Sequence, residues 1–438
     1  MQIGAKLSAA IAVLEDFDAR RVPLKTALAD WARSARYAGA KDRAWISGLC
    51  LDALRRRHSL GYAMGNESPR AIALATMRFL HGTSFDDMVG FAAEEPHGPG
   101  ALSENEQSSL AATTMSTDGG ADHIVGDYPE WLNEAVVRAF GDHAIAEMTA
   151  CAQRADIDLR VNTLKATPEK ALAALKTVKG QAAPILENAA RIEAPNPKVK
   201  APAITVIPAF NKGWVEVQDL GSQVAACAAG DIKGAQVMDY CAGGGGKTLA
   251  LGAMMKNSGQ LYAYDRDARR LSPLYHRAKR AGLRNLQVIN PKTDQKALDA
   301  LVAKMNVVFV DAPCTGAGTW RRRPDTKWRL TERQMATRNK EQDEVLLSAA
   351  KYVKPGGRLV WVTCSFFHEE NEDRLAAFLE MHQEFKLSHV MDQITATGLL
   401  RDDALTALER CKTDDGSLRM TPHRIGVDGF YVAVLARQ

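Results

Sequence analysis

VMDYCAGGGGKTLALGA, Val237–Ala253, decides how the second half of this chain is read. Val, Met and Tyr lead into four consecutive glycines, Gly243–Gly246, and an apolar stretch of helical spacing follows, so the segment predicts strand, tight loop and helix. Lys247-Thr248 directly after the glycines invites a phosphate-binding reading. That reading needs Gly-x-x-x-x-Gly-Lys-Thr, and counting back from Gly246 puts Cys241 where the first glycine must stand. A dinucleotide Gly-x-Gly-x-x-Gly also fails, because starts at Gly243 or Gly244 place Thr248 or Leu249 at the third glycine. Glycines between strand and helix still mean that a ligand or another backbone comes close to the main chain, and the amides of a helix N-terminus suit a carboxylate as well as a phosphate.

Working outward, the residues after Asp219 alternate strand and helix: GQLYAYD, ARRLSPLYHRAKRAG, LQVIN, VVFVDAP, a long helix ERQMATRNKEQDEVLLSAAKYV, GRLVWVTCS, NEDRLAAFLEMH and a closing GFYVAVLAR. This order predicts a mainly parallel sheet covered on both faces, with its ligand at the carboxyl ends of the strands. The strand after the glycine loop ends in Asp265, placed to accept ribose hydroxyls or, equally, to cap the following helix. A ligand carrying both a carboxylate and a ribose suggests S-adenosylmethionine.

Residues 3–90 show helical spacing with no alternating run, as in AKLSAAIAVLEDF and DRAWISGLCLDALRRRHSL, and predict an all-helical domain. Arg55–Arg57 are read as a solvated helix end. Residues 93–127, rich in Gly, Pro, Ser and acids, predict a linker with at most a short helix. PEWLNEAVVRAFG, HAIAEMTACAQ, DLRVNTL, TPEKALAALKTV, AITVIPAF and GWVEVQD then predict a small mixed α/β subdomain in which the last two segments are strands. The expected domains are 1–125, 126–215 and 216–438.

The chain has 438 residues, 46% hydrophobic and 25% charged, with 56 Lys and Arg against 52 Asp and Glu; disorder is not the default and the net charge of +4 says little about partners. Seven cysteines without metal-like spacing fit reduced thiols, no metal site and a cytoplasmic protein, and no run approaches the roughly 18 apolar residues of a membrane span.

Two of those cysteines stand out. VFVDAPCTGAG delivers Asp311 and Cys314, and LVWVTCS delivers Cys364, to the same predicted sheet edge as the glycine loop. A thiol beside a methyl donor suits methylation of a pyrimidine ring carbon: carbon 5 of cytosine becomes nucleophilic only when a thiolate has added at carbon 6. Asp311 is placed to hydrogen-bond the amidine edge of the ring.

DLRVNTLKAT, VQDLGSQ, DYCAGGGGKT, AYDRDARRL, DAPCTGAGTWRRRPDTKW, TCSFFHEENE and TPHRIGVDGFYVAVL, in this order, resemble the Sun (Fmu) type of RNA cytosine-carbon-5 methyltransferases, the branch acting on 16S ribosomal RNA in particular. The resemblance covers nearly the whole chain. It implies a Rossmann-like S-adenosylmethionine-dependent methyltransferase domain, an N-terminal NusB-like helical domain and a small α/β RNA-binding subdomain. It also implies Cys364 as nucleophile and Cys314 as the thiol assisting adduct release; Asp311 joins them as a third catalytic residue through its bond to the amidine edge. The cofactor seat then comprises Cys241, Ala242, Gly243, Gly244, Gly245, Gly246, Lys247, Asp265, Asp311 and Asp294. Two departures are present. Gly243-Gly244 replace the family's usual Ala-Pro, and NPKTD replaces its third acidic segment, which makes Asp294 a substitute contact on the adenine side.

RNA is the implied partner, 16S ribosomal RNA first and transfer RNA as the alternative, with no membrane and a monomeric state. A non-catalytic RNA-binding assembly factor is the competing class. RRRPDTKWRLTER, Arg321–Arg333, carries six basic residues, and with Trp320 and Trp328 it is expected to contact and stack on RNA.

Overall fold

The computed structural model describes residues 1–194 and 203–438, and these fall into two compact units. The first comprises Met1–Arg154 together with Thr319–Leu330. Its helices include Ile3–Arg20, Leu24–Ser34, Ala40–Arg55, Arg57–Met64 and Pro69–Ala75. They bury Leu7, Leu14, Phe17, Ile46, Leu49, Leu54, Leu60 and Leu74 in one core, the outcome expected of apolar residues at 3.6-residue spacing. Ser68, with Pro69 at the first helical position, and Ser103, with Glu106 returning its hydrogen bond, cap two of the helices. The expected linker holds two short helices, Glu104–Leu110 and Asp122–Val125. Arg55 corrects the solvated-end reading: it is buried, bonds Asp52 at 2.7 Å and donates to the Arg321 carbonyl at 2.7 Å.

The second unit holds two sheets. In the smaller, β1 (Ile157–Val161), β2 (Gln181–Ala182), β3 (Ala189–Ile192) and β4 (Val215–Val217) run in the order β2-β3-β1-β4, all neighbours antiparallel. AITVIPAF is not a strand; it forms a helical turn at Ile204–Val206 and a helix Pro208–Asn211, because Pro208 presets the first helical residue and cannot donate to a ladder.

The larger sheet contains β5 (Gln236–Asp239), β6 (Gln260–Tyr264), β7 (Leu286–Ile289), β8 (Met305–Asp311), β9 (Val353–Thr363), β10 (Phe385–Ser388), β11 (Leu418–Met420) and β12 (Phe430–Arg437). Its order is β10-β12-β9-β8-β5-β6-β7, with β11 paired to β12. Strands β7, β6, β5, β8 and β9 are mutually parallel, whereas β12 is antiparallel to β9, β10 and β11. Chain order reverses direction across the sheet between β5 and β8, which opens a crevice at the carboxyl ends of those strands. The Val-, Leu- and Phe-rich centre of β8 and β9 is fully buried, as befits strands covered on both faces. Among the described residues no helix is long and apolar enough to cross a membrane, and no three His, Cys, Asp or Glu side chains cluster as a metal site.

Candidate functional site

The glycine loop joins β5 to the helix Gly246–Met254, and a second helix, Ala268–Ala281, lies along it. Gly243 (φ +49°) and Gly245 (φ +83°) take the left-handed conformation that side chains disfavour. A Cβ on Gly245 would also overlap Leu274 Cδ1, and one on Gly243 would sit 3.3 Å from Arg270 Nη2. Arg277 Nη1 donates to the Gly244 carbonyl at 2.6 Å. Arg270, Leu274 and Arg277 stand at i, i+4 and i+7 on one face of the second helix. The close neighbour that these glycines accommodate is therefore a helix face. The first-turn amides of Gly246–Met254 are left for a ligand.

Asp265 is buried at the end of β6. Its carboxylate accepts from the amides of Gly243 and Asp267 at 3.0 Å each and meets Arg270 Nη1 at 3.2 Å. The helix cap is Asp267, which accepts from the Arg269 amide; the capping alternative for Asp265 is thereby overturned. Asp239, buried at the end of β5, accepts from Thr248 Oγ1 at 2.6 Å. Desolvation pushes its carboxyl up to about 7, against the opposing effect of the Thr248 bond. Cys241 is a half-buried free thiol pushed up by burial and by the carboxylates of Asp265, Asp239 and Asp311, while Ala242 is buried and its amide donates to Tyr264 O at 2.9 Å. The Asp294 carboxylate closes the loop after β7, accepting from the Asn290 amide at 3.0 Å and from Thr293 Oγ1 at 2.9 Å.

At the next strand end, Asp311 pairs with Lys247 Nζ at 2.7 Å. Burial lowers the proton affinity of Lys247, but Asp311 more than offsets it and Cys364 adds to the effect, so the side chain is held as an ammonium ion. Its Nζ lies 5.2 Å from the Phe430 ring centroid. Cys314 Sγ and Cys364 Sγ stand 3.3 Å apart. The hydrogen bond to Cys364, then burial, pushes the Cys314 thiol well above its ordinary value.

The loops carrying these thiols are held from behind by residues that spacing alone did not single out. Glu370, fully buried, accepts from the Thr315 amide and from Thr315 Oγ1, each at 2.6 Å, and so fixes the residue after Cys314. Asn371 accepts from Thr363 Oγ1 at 2.6 Å and donates to the carbonyls of Ser365 (3.1 Å) and Phe367 (2.8 Å), bracing the turn around Cys364. The Gly318 amide bonds Cys364 O at 3.0 Å, and the Gly429 amide bonds Gly318 O at 2.7 Å. A Cβ on Gly318 would run into the Gly429 backbone. The only signal for these residues was their place inside TCSFFHEENE and VDGFY.

The substrate-loop expectation is corrected for Trp320 and Lys327. Thr319–Leu330 belongs to the helical unit, where Trp320 is 1% exposed and Lys327 2% exposed, and burial of Trp320 excludes stacking on a base. Lys327 Nζ donates to the carbonyls of Arg55 and Asp127, Trp328 Nε1 donates to Leu54 O at 2.6 Å, and Asp325 accepts from the Leu24 amide at 3.2 Å. Of the six basic residues only Arg323 and Arg333 are exposed.

With this geometry in view, a family model described as 16S rRNA methyltransferase RsmB/F matches residues 230–436, and one described as the RsmF/B-like ferredoxin-like domain matches residues 128–198. The probable ribosomal RNA small subunit methyltransferase B of Synechocystis is 30% identical over 313 residues, 71% of this chain and 67% of the relative. The chain belongs to the RsmB/F methyltransferase family. Ribosomal RNA small subunit methyltransferase B of Erwinia tasmaniensis is 27% identical over 431 residues, covering 91% of this chain and 92% of the relative. The fold also matches the crystal structure of NSun6 from Pyrococcus horikoshii with SFG, at TM-score 0.59 and 22% identity, over 72% of this chain and 99% of that one. An RsmB/F chain is an RNA methyltransferase that uses S-adenosylmethionine. The residues present suit that cofactor: a glycine cradle opening onto helix amides, and a buried carboxylate at the end of the adjacent strand.

Proposed function

We propose that this enzyme methylates carbon 5 of a cytosine in 16S ribosomal RNA through a covalent adduct with Cys364. The observation that carries the reading is the thiol pair at 3.3 Å, at the carboxyl ends of β8 and β9, beside the Lys247–Asp311 ion pair. In this reading residues 1–125 form a NusB-like RNA-binding domain, 126–215 the RNA-contacting subdomain and 216–438 the methyltransferase domain.

Cys364 bonds to carbon 6 as its thiolate, with the Lys247 ammonium as a cation nearby. The electron pair of the 5,6 double bond is thereby made available at carbon 5. Asp311, oriented by Lys247, hydrogen-bonds the amidine edge, where charge develops as the adduct forms. Cys241 to Lys247 and Asp265, with Asp294 on the adenine side, would hold S-adenosylmethionine, whose chemistry when bound would be that of an electrophilic methyl donor. After transfer the carbon 5 proton leaves to a base, the 5,6 double bond re-forms, and the Cys364–carbon 6 bond breaks with its electron pair returning to sulfur. Cys314, held against Cys364, assists that elimination.

Two variants test the assignment. Incubated with tritiated methyl donor and undermodified small-subunit RNA, Cys364→Ala is expected to transfer no label and to form no adduct. Cys314→Ala is expected to accumulate a protein–RNA species that survives denaturing electrophoresis. Loss of the adduct in Cys314→Ala with retention in Cys364→Ala would reverse the two roles. Bisulfite sequencing of the labelled RNA identifies the nucleotide; label on any base other than cytosine would overturn the reading, and label only in transfer RNA would move it to that substrate.

A further inference from the structure

The helix Ala268–Ala281 presents two arginines to one buried carboxylate. Glu216, on β4 of the small sheet and only 2% exposed, receives Arg277 Nη2 at 3.2 Å and also Arg280. The other terminal nitrogen of Arg277 reaches in the opposite direction, to the Gly244 carbonyl at 2.6 Å. One guanidinium therefore ties the small sheet to the cofactor loop. Planar, with donors fixed on both of its terminal nitrogens, it can satisfy two acceptors at once, which the single ammonium of a lysine does less well.

The tie falls where the chain is least able to hold its own shape. Gly243-Gly244 is the most flexible dipeptide available, and the loop must nonetheless keep Gly243 and Gly245 in the left-handed region and its amides aimed at a ligand. Asp265 restrains the Gly243 amide, and Leu274 fills the space beside Gly245. The Gly244 carbonyl between them is restrained by Arg277.

We propose that Arg277, anchored by Glu216, is a positioning residue for the donor-binding loop and that it sets affinity for S-adenosylmethionine without taking part in the chemistry. The inference rests on the reading of this loop as the donor seat. Loss of one charged hydrogen bond that orders a loop predicts a weakening of about 5- to 20-fold.

The experiment uses the full chain and titrates S-adenosylhomocysteine calorimetrically, with KM for the donor, kcat and melting temperature measured in parallel. Arg277→Ala is expected to raise the dissociation constant and the donor KM by that factor, with kcat at saturating donor within about twofold of the parent. Arg277→Lys is expected to recover part of the loss, since one donor can still reach Gly244. Arg277→Met, which keeps the apolar stem and leaves Glu216 paired with Arg280, is expected to match Arg277→Ala in affinity, which separates positioning from misfolding. Unchanged donor affinity in both Arg277→Ala and Arg277→Met overturns the inference. Asp265→Ala distinguishes the two failures: if it too leaves affinity unchanged, the loop is not the donor seat; if it alone abolishes binding, only the role of Arg277 is lost.

Discussion

Gly243–Lys247 and Arg321–Leu330 both bear cations and both follow strands of the large sheet, yet they end in opposite environments. The glycine loop stays at the sheet edge, where Lys247 is held by Asp311. Arg321–Leu330 joins the helical unit, where Lys327, Trp320 and Arg321 are buried and Lys327 is satisfied by backbone carbonyls. Judged by composition alone, Arg321–Arg333 is the better RNA ligand, with six basic residues and, counting Trp320, two tryptophans. Composition cannot tell a cation that faces solvent from one that donates to backbone carbonyls inside the fold. Arg55 and Lys327 do the latter, and each is buried with those bonds made.

Lys327→Ala should test that contrast most severely. It leaves the carbonyls of Arg55 and Asp127 without their donor and opens a cavity, so we expect a loss of about 2–4 kcal/mol in chemical denaturation. A variant that kept its stability but lost RNA affinity would return Lys327 to the RNA-binding reading. Within the glycine loop, Gly245→Ala imposes both a strained φ and an overlap with Leu274, and should cost about 1–3 kcal/mol and weaken donor binding. Gly246→Ala, with nothing within 4 Å of its Cβ, should change stability by less than about 0.5 kcal/mol. Equal costs at the two positions, read from melting curves, would break the claim that the Ala268–Ala281 helix face shapes the loop.

The effect at Asp239 is a slope. Asp239 has its folded-state carboxyl raised to about 7, above its unfolded value, so between the two the native state binds the extra proton and stability falls as pH rises. Asp239→Asn should remove that dependence, with Thr248 Oγ1 still donating to the amide oxygen. The difference between variant and parent should grow by at most about 1.4 kcal/mol per pH unit between roughly pH 4 and 7, and hold steady above. Parallel pH profiles for the two proteins would show that Asp239 does not titrate in this window.

Much of the fold was legible because it rests on local periodicity. Strands β5, β6, β7, β8, β9 and β12 fall where the apolar runs predicted them, and the helices between them fall at the 3.6-residue patterns. The strands β10 and β11 exist by pairing with β12, and β11, of three residues, is too short to carry a period of its own. AITVIPAF misled because a β-branched run was weighed above the proline that starts a helix within it. Glu370 and Asn371 were invisible as site residues because their partners, Thr315 and Thr363, lie on other elements, and only folding brings them within hydrogen-bond distance.

The sequence by itself determined the class of the fold, the exclusion of a phosphate loop at Cys241 and the delivery of Asp311, Cys314 and Cys364 to strand ends, since strand periodicity and residue order are local properties. Tertiary structure alone decided that the two thiols stand 3.3 Å apart, that Asp265 ties the loop while Asp267 caps the helix, and that Trp320 is buried. Each of those outcomes depends on which groups from distant positions compete for the same hydrogen bonds and the same space, and that competition is settled only when the elements pack.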